Sequence, residues 1–323
     1  MTLEHQYEEG KNMNDVRIET QALTKRYGRL TAVQDLNFSI EAGDVLGFLG
    51  PNGAGKSTTM KMLTGFLAPT SGTASINGHD IVTDSLAARQ CIGYLPEGAP
   101  AYGEMTTRHF LSFIARARGF SGDGVKRVAG QAMERLNLQG VAEQPIETLS
   151  KGFKRRVGLA QAILHNPEVL ILDEPTDGLD PNQKHEVRAL IREMSADKII
   201  VISTHVLEEV HALCNRAIII ADGRLLVDDS PKGLLTRSRY HNAVTMVVEH
   251  PERVASALSE LPGAARVEIR EGELTVFPVP GAALFEAISD RIRQNQWDVH
   301  EIRLEAGRMD EVFRQITSGE GSK

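Results

Sequence analysis

Residues 45–57 read Val45-Leu-Gly-Phe-Leu49-Gly50-Pro51-Asn52-Gly53-Ala54-Gly55-Lys56-Ser57, and the segment changes character at Gly50. Val45–Leu49 is a short apolar run, the pattern of a strand buried on both faces. Gly50–Ser57 fits the spacing G-x-x-x-x-G-K-[ST]. A helix is expected over Lys56–Phe66, ended by the turn at Pro69-Thr-Ser-Gly72. These residue types suit a phosphate cradle. Glycines let successive backbone N–H groups converge on phosphate oxygens with no Cβ in the way. The N-terminus of the following helix adds the positive end of its dipole. Lys56 is placed to reach the β- and γ-phosphates, and the Ser57 hydroxyl to ligate Mg²⁺. The strand before and the helix after separate this pattern from a glycine-rich turn with a chance lysine.

Further along, Val169-Leu-Ile-Leu172-Asp173-Glu174 reads as a buried strand that ends in two carboxylates. Asp173 fits the Mg²⁺-holding aspartate of a phosphate-loop NTPase. Glu174 fits a base that orients or deprotonates an attacking water. The two motifs together establish a nucleotide site and leave several NTPase classes open.

Around them, strands are expected at Val16–Leu23, Ala32–Ile40, Thr73–Ile76, Cys91–Leu95, Ile199–Ile202 and Ala217–Ala221. Helices are expected near Asn182–Met194 and Val206–Leu213, and this alternation implies a parallel sheet flanked by helices. Between Thr106 and Asn166 the pattern turns helical. Val125, Val128, Ala132 and Leu136 share one helix face, as do Phe110, Phe113, Ile114 and Ala117. After Arg237 the chain starts afresh. A strand at Ala243–Val248 and a helix at Pro251–Leu261 lead to a hairpin of Val267–Arg270 and Leu274–Val279. A helix at Ala282–Gln294, a strand at Asp298–Leu304 and a helix at Met309–Ile316 complete the ferredoxin-like order β-α-β-β-α-β. The expected divisions are a disordered leader over 1–15, with Met13 an alternative start, a first domain over 16–236, a module over 237–318 and a flexible tail over 319–323.

The chain of 323 residues carries 36 Lys and Arg against 43 Asp and Glu, a net charge of −7. Residues 237–323 hold 11 Arg and Lys against 14 Asp and Glu, with the signs interspersed. A nucleic-acid binder would show a basic excess or stripe, so none is expected as a partner. No run approaches the ~18 apolar residues of a membrane span. The two cysteines, Cys91 and Cys214, make neither a disulfide framework nor a metal cluster. His79, His109, His165 and His185 read as surface residues, Lys154-Arg155-Arg156 as a solvated or anion-facing stripe, and Trp297 as module core. The reading is a soluble cytosolic protein.

Leu149-Ser150-Lys151-Gly152-Phe153 opens a helix ahead of the Asp173 strand, with Ser150 a good N-cap and Gly152 open to an anion. With this segment the chain resembles the ATP-binding subunit of ABC transporters, whose signature is usually Leu-Ser-Gly-Gly-Gln. Other motifs follow the family order over residues 16–235. Tyr27 resembles the adenine-stacking aromatic, Tyr94-Leu-Pro-Glu97 the magnesium-sensing, permease-contacting loop, Gly178-Leu-Asp180 the dimer-contacting loop, and Ser203-Thr-His205 the switch histidine. Glu97 replaces the usual Gln, adding a charge while keeping an oxygen ligand. Lys151 and Phe153 replace Gly and Gln. Both departures resemble the export-type branch of gliding-motility, copper-handling and drug-resistance ATPases. Met309-Asp-Glu-Val-Phe313 is similar to the closing helix of that branch's C-terminal module.

The resemblance implies an α/β fold: a P-loop NTPase of ABC type with a helical subdomain over about 100–166, plus a small C-terminal α+β ferredoxin-like module. It implies ATP and Mg²⁺ as cofactors. Binding falls to Tyr27, Gly50, Pro51, Asn52, Gly53, Ala54, Gly55, Lys56, Ser57, Thr58 and Glu97, with Ser150 and Gly152 contributed in trans by a second copy. The catalytic set is Glu174, His205 and Lys56, and the metal set is Ser57, Asp173 and Glu97. Implied partners are a separate membrane permease and a second ATPase subunit in a homodimer, on the cytoplasmic face of the cell membrane. A non-transport ABC ATPase of DNA repair or translation is the alternative; long coiled coils, zinc clusters or a tandem ATPase domain would mark it, and none is visible. A non-catalytic nucleotide-binding regulator is disfavoured by the intact Lys56, Asp173, Glu174 and His205.

Overall fold

The computed structural model describes residues 17–318. The leader, Met13, Val16 and the tail over 319–323 lie outside the described residues. The chain forms two compact units that divide between Asp229 and Ser230.

In chain order the first unit holds β1 (Arg17–Tyr27), β2 (Leu30–Glu41), β3 (Val45–Leu49), α1 (Lys56–Leu63), β4 (Ser71–Ile76), β5 (His79–Asp80), α2 (Ser85–Gln90) and β6 (Ile92–Leu95). Helices α3 (Thr107–Ala117), α4 (Gly122–Arg135) and α5 (Lys151–Ile163) follow. The unit closes with β7 (Val169–Asp173), α6 (Pro181–Met194), β8 (Ile199–Ser203), α7 (Leu207–Leu213), β9 (Arg216–Ala221) and β10 (Arg224–Asp229).

These strands make two sheets rather than one. The larger has the order β10-β9-β3-β8-β7-β6, parallel except for the β9–β10 hairpin. The smaller, β2-β1-β4-β5, is antiparallel throughout. Burial separates them. Every residue of β3, β7 and β8 is buried, whereas β2 alternates, with Val33, Leu36, Phe38 and Ile40 inward. A parallel strand is covered on both faces, and an antiparallel one can keep a face in water. Burying a Leu, Ile or Val side chain contributes about 1.5–3 kcal/mol, so β3, β7 and β8 anchor the unit. The register sets Phe48 beside Ser203, and Ser203 beside Asp173, at the C-terminal edge of the large sheet. Open α/β sheets bind ligands at that edge.

Two details of the helical region differ from the sequence pattern. The core face of α3 is Phe110, Leu111 and Ala115; Phe113 is exposed and Ile114 half-buried, because α3 meets α4 and α5 on a narrower stripe. Arg155 and Arg156 are buried, not a solvated stripe. Helix α5 packs against β6 on one side and α3 and α4 on the other, so the arginine stems lie along apolar surface. Their heads find carbonyls, Asp173 O for Arg155 and Leu136 O for Arg156, each at 3.4 Å.

The second unit holds α8 (Pro231–Thr236), β11 (Val244–Val248), α9 (Pro251–Ser259), β12 (Ala264–Arg270), β13 (Glu273–Pro278), α10 (Phe285–Asn295), β14 (Val299–Leu304) and α11 (Met309–Ser318). Its antiparallel sheet, β12-β13-β11-β14, is the ferredoxin-like arrangement. Val244, Met246, Leu274, Val276, Leu258 and Ile288 form the core, with Trp297 partly buried against it. Helix α8, which the sequence reading places in the first domain, groups here because it packs on α11. Some of the interspersed charges are paired, Arg303 with Glu273, Glu301 and Glu305.

Candidate active site

The phosphate loop links β3 to α1. Lys56 Nζ is folded back on it, donating to Gly50 O at 2.6 Å and Pro51 O at 3.1 Å. The loop closes tightly because Gly55 sits at φ 103°, where a Cβ would stand 2.5 Å from Ala32 O of β2. Burial lowers the Lys56 pKa, while Glu174, Asp173 and Glu97 act to raise it. Three carboxylates facing one ammonium leave the site with excess negative charge, which a divalent cation would offset.

A cavity of about 260 Å³ lies over this loop. Asn52, Gly53, Gly55, Lys56, Ser57 and Thr58 line one side, and Glu97, Asp173, Glu174, Ser203 and Ala32 the other. Gly50, Pro51 and Ala54 belong to the same loop behind the lining. Burial raises the Asp173 pKa, and the charges of Glu97 and Glu174 push the same way. The Ser57 hydroxyl and the Asp173 and Glu97 carboxylates are an all-oxygen donor set, which suits a hard divalent cation such as Mg²⁺. The Ser203 hydroxyl is buried at the cavity beside the Asp173 carboxylate, and its hydrogen bond opposes the rise in the Asp173 pKa.

Glu174 follows the last residue of β7 at φ 53°, with its N–H donating to Ser203 O at 2.9 Å. That left-handed turn swings its side chain toward the end of β8. There Oε1 accepts from His205 Nδ1 at 2.7 Å and from His205 N at 3.2 Å, and Oε2 from the Thr204 hydroxyl at 3.3 Å. The structure thus joins Glu174 to His205 and to the loop lysine in one site.

Other expected residues stand apart from this cavity. Tyr27 ends β1, 48% exposed, with Lys25 Nζ 5.3 Å from its ring centroid. Ser150 caps α5, accepting from Phe153 N at 3.3 Å, and Gly152 lies in the first turn. Neither lines the cavity of its own chain. Asp180 caps α6. His165 is half-buried rather than freely exposed: its Nε2 is 3.2 Å from Ile92 O, and burial, then the Arg118 guanidinium, lowers its pKa to about 4. His79 pairs with Asp84 at 2.6 Å.

Two features escaped the sequence reading. Ala32 reaches the site only because β2 folds over the loop. Glu209, buried on α7, was legible in principle: Val206, Glu209, Val210 and Leu213 follow the i, i+3, i+4, i+7 spacing, so an acid occupies an apolar stripe.

Comparison with known proteins fixes the family. The ABC transporter family model matches residues 33–177. An uncharacterised ABC transporter ATP-binding protein, YxlF of Bacillus subtilis (strain 168), is 35% identical over 278 residues, covering 85% of this chain and 90% of the relative. The chain belongs to the ABC transporter ATP-binding proteins. It is also 31% identical to Nod factor export ATP-binding protein I of Paraburkholderia xenovorans (strain LB400), over 95% of this chain and 99% of that one. A solved ATP-binding subunit of an ABC transporter superposes with a TM-score of 0.63 at 29% identity, over 68% of this chain and 92% of the other. The chain is therefore an ATP-binding and ATP-hydrolysing subunit with a P-loop NTPase fold, and the transporter reading prevails over DNA repair or translation. Among the described residues no helix is long and apolar enough to cross a membrane.

Proposed function

We propose that this ATPase energises a separate membrane permease, on the cytoplasmic face of the cell membrane, for export. The observation that carries the reading is a pair of neighbours. Glu97 lines the nucleotide cavity, while Pro96 lines a separate groove of about 1400 Å³. That groove is walled by Tyr102, Phe110, Phe113, Ile114 and Phe120, with Leu86 at its rim. Leu86, Tyr102 and Phe113 are 66%, 59% and 40% exposed, an apolar patch of the kind that marks a partner surface. A permease segment seated here would feel any shift of Glu97 through one peptide unit. Export is supported by Glu97, by the Lys151 and Phe153 signature and by the export relatives.

Two copies would close head to tail. Ser150 and Gly152 of one copy then face the γ-phosphate held by Lys56 of the other, which accounts for their distance from the cavity of their own chain. The symmetry gives two ATP sites. Tyr27 offers a free ring face for the adenine. Ser57, Asp173 and Glu97 would hold Mg²⁺, which would supply charge neutralisation at the phosphates. Glu174 orients a water and takes its proton as the water oxygen bonds the γ-phosphorus. The bond to the β,γ-bridging oxygen breaks, releasing ADP and inorganic phosphate. His205 holds the γ-phosphate, and loss of phosphate reopens the dimer.

Phe113→Asp tests the groove. The variant is expected to bind ATP normally and to leave the membrane fraction in which the wild-type chain co-purifies with its permease. Retention of the permease by this variant, or recovery of the wild type with ribosomes or DNA, would overturn the reading.

A further inference from the structure

Behind Glu174 stands a second carboxylate. Glu209 is 1% exposed. Its Oε1 accepts from the Thr176 hydroxyl, and its Oε2 lies 3.2 Å from Thr204 Oγ1. The same Thr204 oxygen is 3.3 Å from Glu174 Oε2 and accepts from Val206 N at 3.1 Å. A hydroxyl has one proton to give. Two ionised carboxylates cannot both accept it, and leaving a buried charge unsatisfied is expensive.

We propose that Glu209 is a positioning residue for hydrolysis, turning the Thr204 hydroxyl toward Glu174 so that the base stays seated against His205. The proposal rests on Glu174 as the base. Every group is satisfied when Glu209 carries a proton. Its O–H donates to Thr204 Oγ1, Thr204 donates to Glu174 Oε2, and Val206 N fills the remaining lone pair of Thr204. No covalent bond changes, and the proton stays on Glu209. Through Thr176 the same side chain holds the loop that runs from Glu174 to Asp180, the segment between the base and the α6 cap.

The surroundings favour the neutral acid. Burial, the largest cause, raises the Glu209 pKa and the Glu174 charge adds to it, while the Thr204 hydroxyl and then Arg188 and Lys184 on α6 oppose. Arg188 is itself shared with Glu208, at 3.8 Å. Cys214, at the end of α7, faces Glu209 as a neutral thiol, its pKa pushed up to about 12 by burial.

The test is steady-state ATP hydrolysis by the full chain as a function of pH. Glu209→Leu is expected to lower kcat on the order of tenfold or more with KM for ATP nearly unchanged, since the phosphate contacts remain. Glu209→Gln is expected to restore most of that loss, because its amide N–H donates to Thr204 and its C=O accepts from Thr176. Wild type loses kcat on the alkaline side as Glu209 ionises, and the Gln variant lacks that limb. Thr204→Val, close in volume, reproduces the loss while leaving the Glu209 side chain and its Thr176 contact in place, and it decides the matter if Glu209→Leu unfolds. The proposal fails if the Leu or Val variant keeps wild-type kcat, if Gln is as slow as Leu, or if the alkaline limb persists in Gln. Glu174→Gln run beside them separates the two ideas: if it stays active the base assignment falls, and if it is dead while the Glu209 variants are normal only the positioning role falls.

Discussion

His205 Nδ1 lies 2.7 Å from Glu174 Oε1, and the same oxygen accepts from the His205 main-chain N–H at 3.2 Å. One carboxylate oxygen is therefore fixed by ring and backbone of a single residue at the end of β8. A neutral imidazole that donates from Nδ1 has only a lone pair at Nε2. In the proposed site Nε2 is the ring nitrogen left to meet a phosphate oxygen.

Glu174→Gln should reduce ATP turnover on the order of 10²–10⁴-fold, the range for a lost general base, while ATP still binds. Turnover by phosphate release, beside equilibrium binding of labelled ATP, checks it. Near wild-type turnover would remove Glu174 from the role.

Gly55→Ala should weaken both fold and site. The residue sits at φ 103° with Ala32 O 2.5 Å from the new Cβ, so either the loop or β2 must move. A strained left-handed backbone costs of order 1–3 kcal/mol. Thermal unfolding should drop accordingly, and ATP affinity should fall with it; an unchanged Tm would contradict the close approach.

Gly152→Ala should leave folding almost untouched. Its Cβ would stand 2.6 Å from Gln183 Oε1, the mobile end of a side chain that can turn away. ATPase activity should nonetheless fall, and ATP should no longer drive dimer formation on light scattering when Glu174 is also Gln. An ATP-dependent dimer of normal stability would count against the trans arrangement.

Stability should fall on acidification through His165. Its folded pKa is about 4 against an ordinary 6.5, so the folded state prefers the neutral ring. That preference contributes in full above about pH 6.5 and is lost as pH falls toward 4. His165→Gln should flatten this acid limb in chemical unfolding curves taken across the window; an unchanged slope would assign the limb to other groups.

Much of the fold was legible because local patterns carry it. The apolar runs Val45–Leu49 and Val169–Leu172 must be strands covered on both faces, and the glycine–lysine loop between strand and helix has few other uses. Alternation could not say that β1, β2 and β4 pair with one another instead of extending the parallel sheet, because pairing partners are chosen by non-local packing. The basic run on α5 misled for a related reason. Charge in sequence predicts exposure, yet Arg155 and Arg156 are buried where their heads meet carbonyls and their stems meet apolar surface.

The chemistry is legible along the chain: a phosphate loop with Lys56 and Ser57, an aspartate–glutamate pair closing a buried strand, and a histidine after another. Residue type and spacing suffice there, since phosphate, metal and water each demand particular atoms. Which of these atoms meet was settled by packing. It brought Glu174 to His205 through the adjacency of β7 and β8, closed the loop with Ala32, left Ser150 and Gly152 outside the cavity of their own chain, and set buried Glu209 behind the base. The physical reason is that strand order and register are fixed by the burial of whole faces, a property of the packed sheet that no single segment contains.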